Sequence, residues 1–201
     1  MNNLDAISPI DGRYRSKTEP LAAYFSESAL IRYRVRVEIE YYIALVGQLG
    51  VANLSAEMTE KLRDIYRNWN SESAQRVKDI EKTTNHDVKA VEYFIKEKFD
   101  GLEFGSALPR ELVHFGLTSQ DINNTATPLL LEEALAEVYL PALHDLVDKI
   151  YSLAEQWEEV PMLAHTHGQP ASPTRLGKEF KVFLERLERQ IDLLQEIEPM
   201  A

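Results

Sequence analysis

A chain of 201 residues with 44% hydrophobic and 27% charged residues can bury one core or two smaller ones, and its composition is not that of a disordered segment. A formal net charge of −11 without any long basic run argues against nucleic acid and against an anionic membrane surface. It leaves open a small anionic ligand, because a site is a local arrangement of donors while net charge is a global sum.

The absence of cysteine excludes disulfides, thiolate metal sites and cysteine nucleophiles. Met1 to Tyr14 shows no basic region followed by an apolar stretch, so no secretory signal is expected. The longest apolar run, Tyr41 to Val46, falls far below the roughly 20 residues of a membrane span. The expectation is a soluble cytoplasmic protein with no membrane partner.

Residues 1–20 carry turn chemistry in Ser8-Pro9, Asp11-Gly12 and Pro20. From about Ser26 to Leu49 two periods compete. Tyr33 to Tyr41 alternates as a strand would, whereas Ile31, Val35, Ile39, Tyr42, Val46 and Leu49 form a 3.6-residue stripe. Strands rarely run to about twenty residues, so the helix is preferred. Ser55 caps a second helix marked by Leu62, Ile65, Tyr66 and Trp69, and a third covers roughly 72–81. Val88, Val91, Ile95 and Phe99 define a fourth, opening after Asn85-His86-Asp87.

The Gly- and Pro-containing stretch from Asp100 to Pro109 reads as a boundary. Beyond it, Pro109 and Ser119 each look like helix starts, with Pro128 kinking the second, and a further helix covers roughly 137–158. Ser172 and Pro173 are expected to cap and open the last helix. Its stripe of Leu176, Phe180, Phe183, Leu187, Ile191, Leu194 and Ile197 has no partner before the chain stops at Pro199-Met200-Ala201, so self-association is expected. No strand is predicted. The fold class is all-α, with an N-terminal helical domain over 1–108 and the first part of a long-helix bundle over 109–201.

Polar clusters recur where these helices begin: Asn85-His86-Asp87, Thr118-Ser119 and Thr166-His167-Gly168-Gln169. Helix N-termini carry unpaired N–H groups and the positive dipole end, so each is a potential anion cradle. Alternatives stand beside each reading. Ser119 and Asn85 could be caps alone, His114 reads as a structural residue on a helix face, and His144 as surface or core. His165 and His167 have metal-like spacing, but no carboxylate or thiolate at ligand spacing joins them, so no metal is expected. The acidic run from Glu155 to Glu159 reads as a solvated face. His167 stands out because Gly168 permits close backbone approach, Gln169 adds a neutral donor and acceptor, and histidine exchanges protons near neutral pH.

Four segments together resemble the adenylosuccinate lyase family of the fumarase/aspartase superfamily. They are Ser8-Pro9-Ile10-Asp11-Gly12-Arg13-Tyr14, the stretch from Thr83 to Phe94, the stretch from His114 to Asn124, and Thr166-His167-Gly168-Gln169-Pro170-Ala171. The resemblance runs across essentially the whole chain. It implies a cofactor-independent β-elimination of fumarate, from adenylosuccinate to give AMP and from SAICAR to give AICAR, in a homotetramer whose active sites combine three subunits. By this resemblance His167 is the general acid toward the leaving nitrogen. His86 orients substrate or acts as the acid itself, with Asn85 and Asp87 beside it in the substrate motif. Thr118 and Ser119 hold the succinyl carboxylates, and Arg13 with Tyr14 binds phosphate, a role suited to a forked guanidinium.

Two departures from the family pattern matter. His165 stands where Arg often precedes the Thr-His-Gly-Gln-Pro run. The family's Gly-Ser-Ser…Met-Pro-x-Lys-x-Asn loop, which carries the serine assigned as base, is missing from this sequence. The chain therefore reads as a fragment, expected to be inactive alone. A helical scaffold or metal module that keeps the motifs, and another lyase of the superfamily, are the competing readings.

Overall fold

In the computed structural model, residues 5–197 are described, and the terminal Pro199-Met200-Ala201 lies outside them. The chain is 72% helical, as the all-α expectation requires, and it separates into two compact units between Glu133 and Ala134.

The first unit is built around α3 (Glu27–Leu49), which follows two single helical turns, α1 (Arg15–Thr18) and α2 (Ala22–Phe25). Ser26 starts α3 by accepting the Ala29 N–H at 3.1 Å, and Gly50 ends it in the left-handed conformation with φ 63°. The competing strand period has a physical source. The helix is buried on more than one side, so Tyr33 and Val35 both lie in the interior, as do Arg34 and Glu38.

Three further helices close the core: α4 (Ala56–Arg67), capped by Ser55 as expected, α5 (Ser71–Thr84) and α6 (Asp87–Asp100). Their apolar faces meet α3 through Val35, Ile39, Leu62, Val77, Val91 and Ile95. A tilted ring contact ties Tyr42 to Phe99 at 5.0 Å, and an edge contact ties Trp69 to Phe94 at 5.6 Å. Past Asp100 the chain forms 3-10 turns rather than a helix at Pro109, and α7 (Ser119–Ala134) runs through Pro128.

Glu92 on α6 is 5% exposed and sits between Lys89 Nζ at 2.6 Å and Lys96 Nζ at 3.0 Å. Burial pushes its carboxyl up, but the two ammonium groups outweigh burial and leave it below the ordinary 4.5. A carboxyl depressed by folding stabilises the folded state above its unfolded value, and that contribution is lost as pH falls through the folded value. The urea midpoint of the chain is therefore expected to fall as pH drops below about 4.5, and Glu92→Gln should flatten that slope. Identical pH profiles for the two proteins would contradict this assignment.

The second unit starts with a π-helical turn (Leu135–Tyr139), continues as α8 (Leu140–Gln156) and ends with α9 (Leu176–Gln195). The chain connecting α8 to α9 departs from the sequence expectation. It is an antiparallel hairpin of β1 (Pro161–Thr166) and β2 (Gln169–Arg175), where no strand is expected and where Ser172-Pro173 is expected to open a helix. Pro161, Pro170 and Pro173 mask it from sequence reasoning, since proline is tolerated only at the start or open edge of a strand.

The stripe on α9 has a partner upstream in α8. Ala154, Leu184 and Ile191 are buried between the two helices, and Trp157 meets Phe180 at 5.1 Å. The two approach so closely at Gly177 that a Cβ there would lie 2.3 Å from the Ala154 carbonyl oxygen. Phe183 and Ile197 of the same stripe stay exposed, as does Leu193 beside it. Among the described residues no helix is long and apolar enough to cross a membrane.

Candidate functional site

The geometry of the first unit's site begins with a break between two helices. Asn85 ends α5 in the left-handed conformation, φ 51°, donating its N–H to the Glu81 carbonyl at 2.7 Å. Asparagine adopts that conformation more readily than other side chains. The reversal makes His86 the N-cap of α6, where its Nδ1 accepts the Lys89 N–H at 3.2 Å. A backbone N–H can only donate, so Nδ1 holds a lone pair and Nε2 carries the hydrogen. Asp87 Oδ1 accepts the Val88 N–H and lies 3.5 Å from Nδ1, longer than an ordinary N–H···O bond. Nε2 reaches Ser119 Oγ at 3.3 Å and therefore donates to it.

Ser119 opens α7, so the hydrogen bond joins two helix starts. Its own hydroxyl hydrogen is left to point at a third group. Thr118 differs: its N–H and its hydroxyl both donate to Asp121 Oδ2, at 2.6 and 2.9 Å, which holds that carboxyl below its ordinary range. The arrangement is a variant of the capping box, and Thr118-Ser119-Gln120-Asp121 carries its sequence signature. Asp121 was thus legible from spacing, although the sequence reading does not single it out.

His114, expected on a helix face, instead occupies the turn before α7 with φ 61°. Its Nδ1 lies 2.5 Å from Oε1 of the fully buried Glu38. Burial pushes the Glu38 carboxyl up, against the bond to His114 that pulls it down. One helical turn earlier on α3, Arg34 donates to Asp87 Oδ2 and to Asn123 Oδ1, each at 2.9 Å. Burial raises the Asp87 carboxyl, but the Val88 N–H and Arg34 outweigh it and hold it low. Arg34 and Glu38 escape the sequence reading because they are single polar positions in an otherwise apolar interior.

The described contacts do not join Arg13 or Tyr14 to this cluster. The Arg13 guanidinium lies 5.3 Å from the Tyr14 ring centroid, and the Tyr14 ring is exposed. His167 belongs to the second unit, at the tip of the hairpin rather than at a helix start. With φ 51° at His167 and φ 77° at Gly168, the two form the hairpin turn that needs positive φ at both central residues. The turn leaves the imidazole exposed at the most projecting point of the ribbon. Among the described residues no group of three or more His, Asp or Glu side chains is placed to hold a metal ion.

Known proteins resemble this chain over most of its length. It is 53% identical to an adenylosuccinate lyase of Dictyostelium discoideum over 99% of this chain, and 42% identical to the adenylosuccinate lyase of Escherichia coli K12 over 98%. In both cases it spans 44% of the relative's own length. Among solved structures, the fumarate lyase of Mesorhizobium sp. BNC1 shares the fold with a TM-score of 0.67 at 24% identity, covering 89% of this chain and 39% of that one. The 3-carboxy-cis,cis-muconate lactonizing enzyme of Pseudomonas putida does so with a TM-score of 0.65 at 19% identity, covering 89% and 39%. The sequence profile of the family described as Lyase matches residues 12–201, and the chain belongs to that family.

Proposed function

We propose that this chain supplies part of the active site of a C–N lyase that releases fumarate from adenylosuccinate, forming AMP, and from SAICAR, forming AICAR. The observation that carries the reading is the directed chain of hydrogen bonds from Lys89 N–H through His86 to Ser119. Each bond polarises the next, so the Ser119 hydroxyl is a stronger donor than an isolated serine. A β-elimination through a carbanion needs preorganised donors at the carboxylate beside the abstracted proton. In this reading Ser119 provides one, and the N-terminus of α7 adds partial positive charge beneath it.

The remaining roles follow the family resemblance. His167 protonates the departing nitrogen, His86 orients the substrate with Asn85 and Asp87, Thr118 assists at the succinyl carboxylates, and Arg13 with Tyr14 takes the phosphate. The catalytic base comes from a segment that these 201 residues do not include. Residues 1–108 act as an N-terminal domain and 109–201 as the first part of the bundle, within a cytoplasmic homotetramer. The exposed Phe183 and Leu193 support burial of α9 against further helices of such an assembly.

The test uses an extended polypeptide: the relatives' full length, carrying these 201 residues. It should release fumarate and AMP in equal amounts from adenylosuccinate; no release would overturn the reading. Within it, Ser119→Ala removes the open donor and should lower turnover about 10²–10³-fold, as loss of one transition-state donor does elsewhere. Thr118→Ala removes a hydroxyl already committed to Asp121 and should cost clearly less. A larger loss at Thr118 than at Ser119 would reverse the assignment of the two.

A further inference from the structure

We infer that Glu38 is a positioning residue, acting through His114 to hold the Thr118–Ser119 turn against His86. The inference rests on the reading of that turn as the substrate's carboxylate site. Glu38 is an unusual residue for its place. It is fully buried in α3, and only one of its carboxylate oxygens has a partner. An apolar side chain of similar volume would avoid the desolvation cost, so packing gives no reason for a carboxylate there.

Its geometry does give one. Oε1 holds the His114 ring, at a residue in the left-handed conformation. Tyr41, three residues along α3, donates its hydroxyl to the Phe115 carbonyl at 2.8 Å, and Gly116 follows at φ 75°. Two successive residues of the turn are therefore tied to one helix. The turn ends at Thr118, and Ser119 begins α7. Arg34 on the same helix fixes the other side by bonding Asp87 at the start of α6 and Asn123 within α7. Helix α3 thus sets the spacing between His86 and Ser119, and Glu38 is the member of that frame whose presence packing does not explain.

Two variants separate positioning from stability. Glu38→Leu keeps the volume and removes the acceptor, so its urea midpoint should shift little, because relief of the buried carboxylate and loss of the His114 bond oppose each other. In the 201-residue chain, nuclear Overhauser contacts between the His86 ring and the Ser119 methylene should weaken or vanish. In the extended polypeptide, kcat/KM for adenylosuccinate should fall about 10–100-fold, the scale expected from a misplaced binding group. Inhibition by AMP, which lacks the succinyl carboxylates, should stay within about two-fold on the same argument.

Glu38→Gln keeps an acceptor for His114 and should recover most of the loss. If Glu38→Leu does not fold, His114→Asn replaces it, since asparagine tolerates the left-handed backbone while removing the ring. Unchanged His86–Ser119 contacts in the substituted chain would overturn the inference, as would equal losses for adenylosuccinate and AMP. An unsubstituted extended polypeptide that fails to release fumarate would refute the functional reading instead, and the contacts in the short chain would still decide the role of Glu38.

Discussion

Replacing His167 with alanine in the extended polypeptide should lower turnover of adenylosuccinate by about 10²–10⁴-fold, the usual contribution of a positioned acid or base. The imidazole stands exposed at the tip of a two-stranded ribbon, where it packs against no core. Its loss should therefore cost the fold little through packing. The backbone complicates the comparison. His167 and Gly168 both have positive φ, and alanine at the first position adds roughly 1–2 kcal/mol of left-handed strain that would loosen the turn. His167→Asn separates the two effects, because asparagine accepts the left-handed region and cannot transfer the proton. If proton transfer is the role, the asparagine and alanine variants lose activity alike. An asparagine variant close to full activity would mean that only the shape of the turn matters.

Gly177→Val is expected to be the most destabilising single change in the second unit. The added Cβ would lie 2.3 Å from the Ala154 carbonyl oxygen and 2.7 and 2.8 Å from backbone atoms of Glu158. None of these is the end of a flexible side chain, so the helices themselves must part. Separation would loosen the contacts of Leu184 and Ile191 and the edge contact of Trp157 with Phe180. Overpacking of this kind costs about 1–3 kcal/mol, and more where backbone must move.

The same change reaches the hairpin. The Leu176 N–H donates to the Val160 carbonyl and the Gly177 N–H to the Trp157 carbonyl, both at 2.9 Å, so both ends of the ribbon are anchored beside Gly177. Gly47 supplies the control. It lies within α3 with nothing within 4 Å of a built Cβ, and Gly47→Ala should stabilise by about 0.5–1 kcal/mol. Urea unfolding of both variants checks the pair. A Gly177→Val protein as stable as its parent would refute the close packing of α8 and α9.

The long helices were legible because their apolar periods and their caps agree. Ser26 and Ser55 each accept the N–H three residues on, as their place before an apolar stripe suggests. The hairpin was not legible, because its three prolines and exposed faces lack the alternation that marks a half-buried strand. The His-Gly pair at its tip was the available signal, since both residues tolerate positive φ. At the site, the motifs indicated His86 and Ser119 but not the direction of the bond between them. That direction depends on the Lys89 N–H, a backbone group that residue identity does not mark. Arg34 and Glu38 stayed hidden for a related reason: burial of a charge is a tertiary fact, visible only once α3 is seen to be enclosed.

The tautomer of His86 is the most direct test of the site proposed here. Nitrogen-15 spectra of the histidines in the 201-residue chain distinguish a lone-pair nitrogen from a protonated one. The hydrogen-bond directions require the lone pair at Nδ1, facing the Lys89 N–H, and the hydrogen at Nε2, facing Ser119. Ser119→Ala should leave that assignment in place while shifting the Nε2 signal. A neutral ring with its hydrogen on Nδ1 would contradict the account, because His86 could then neither cap α6 through that nitrogen nor donate to Ser119 from the other.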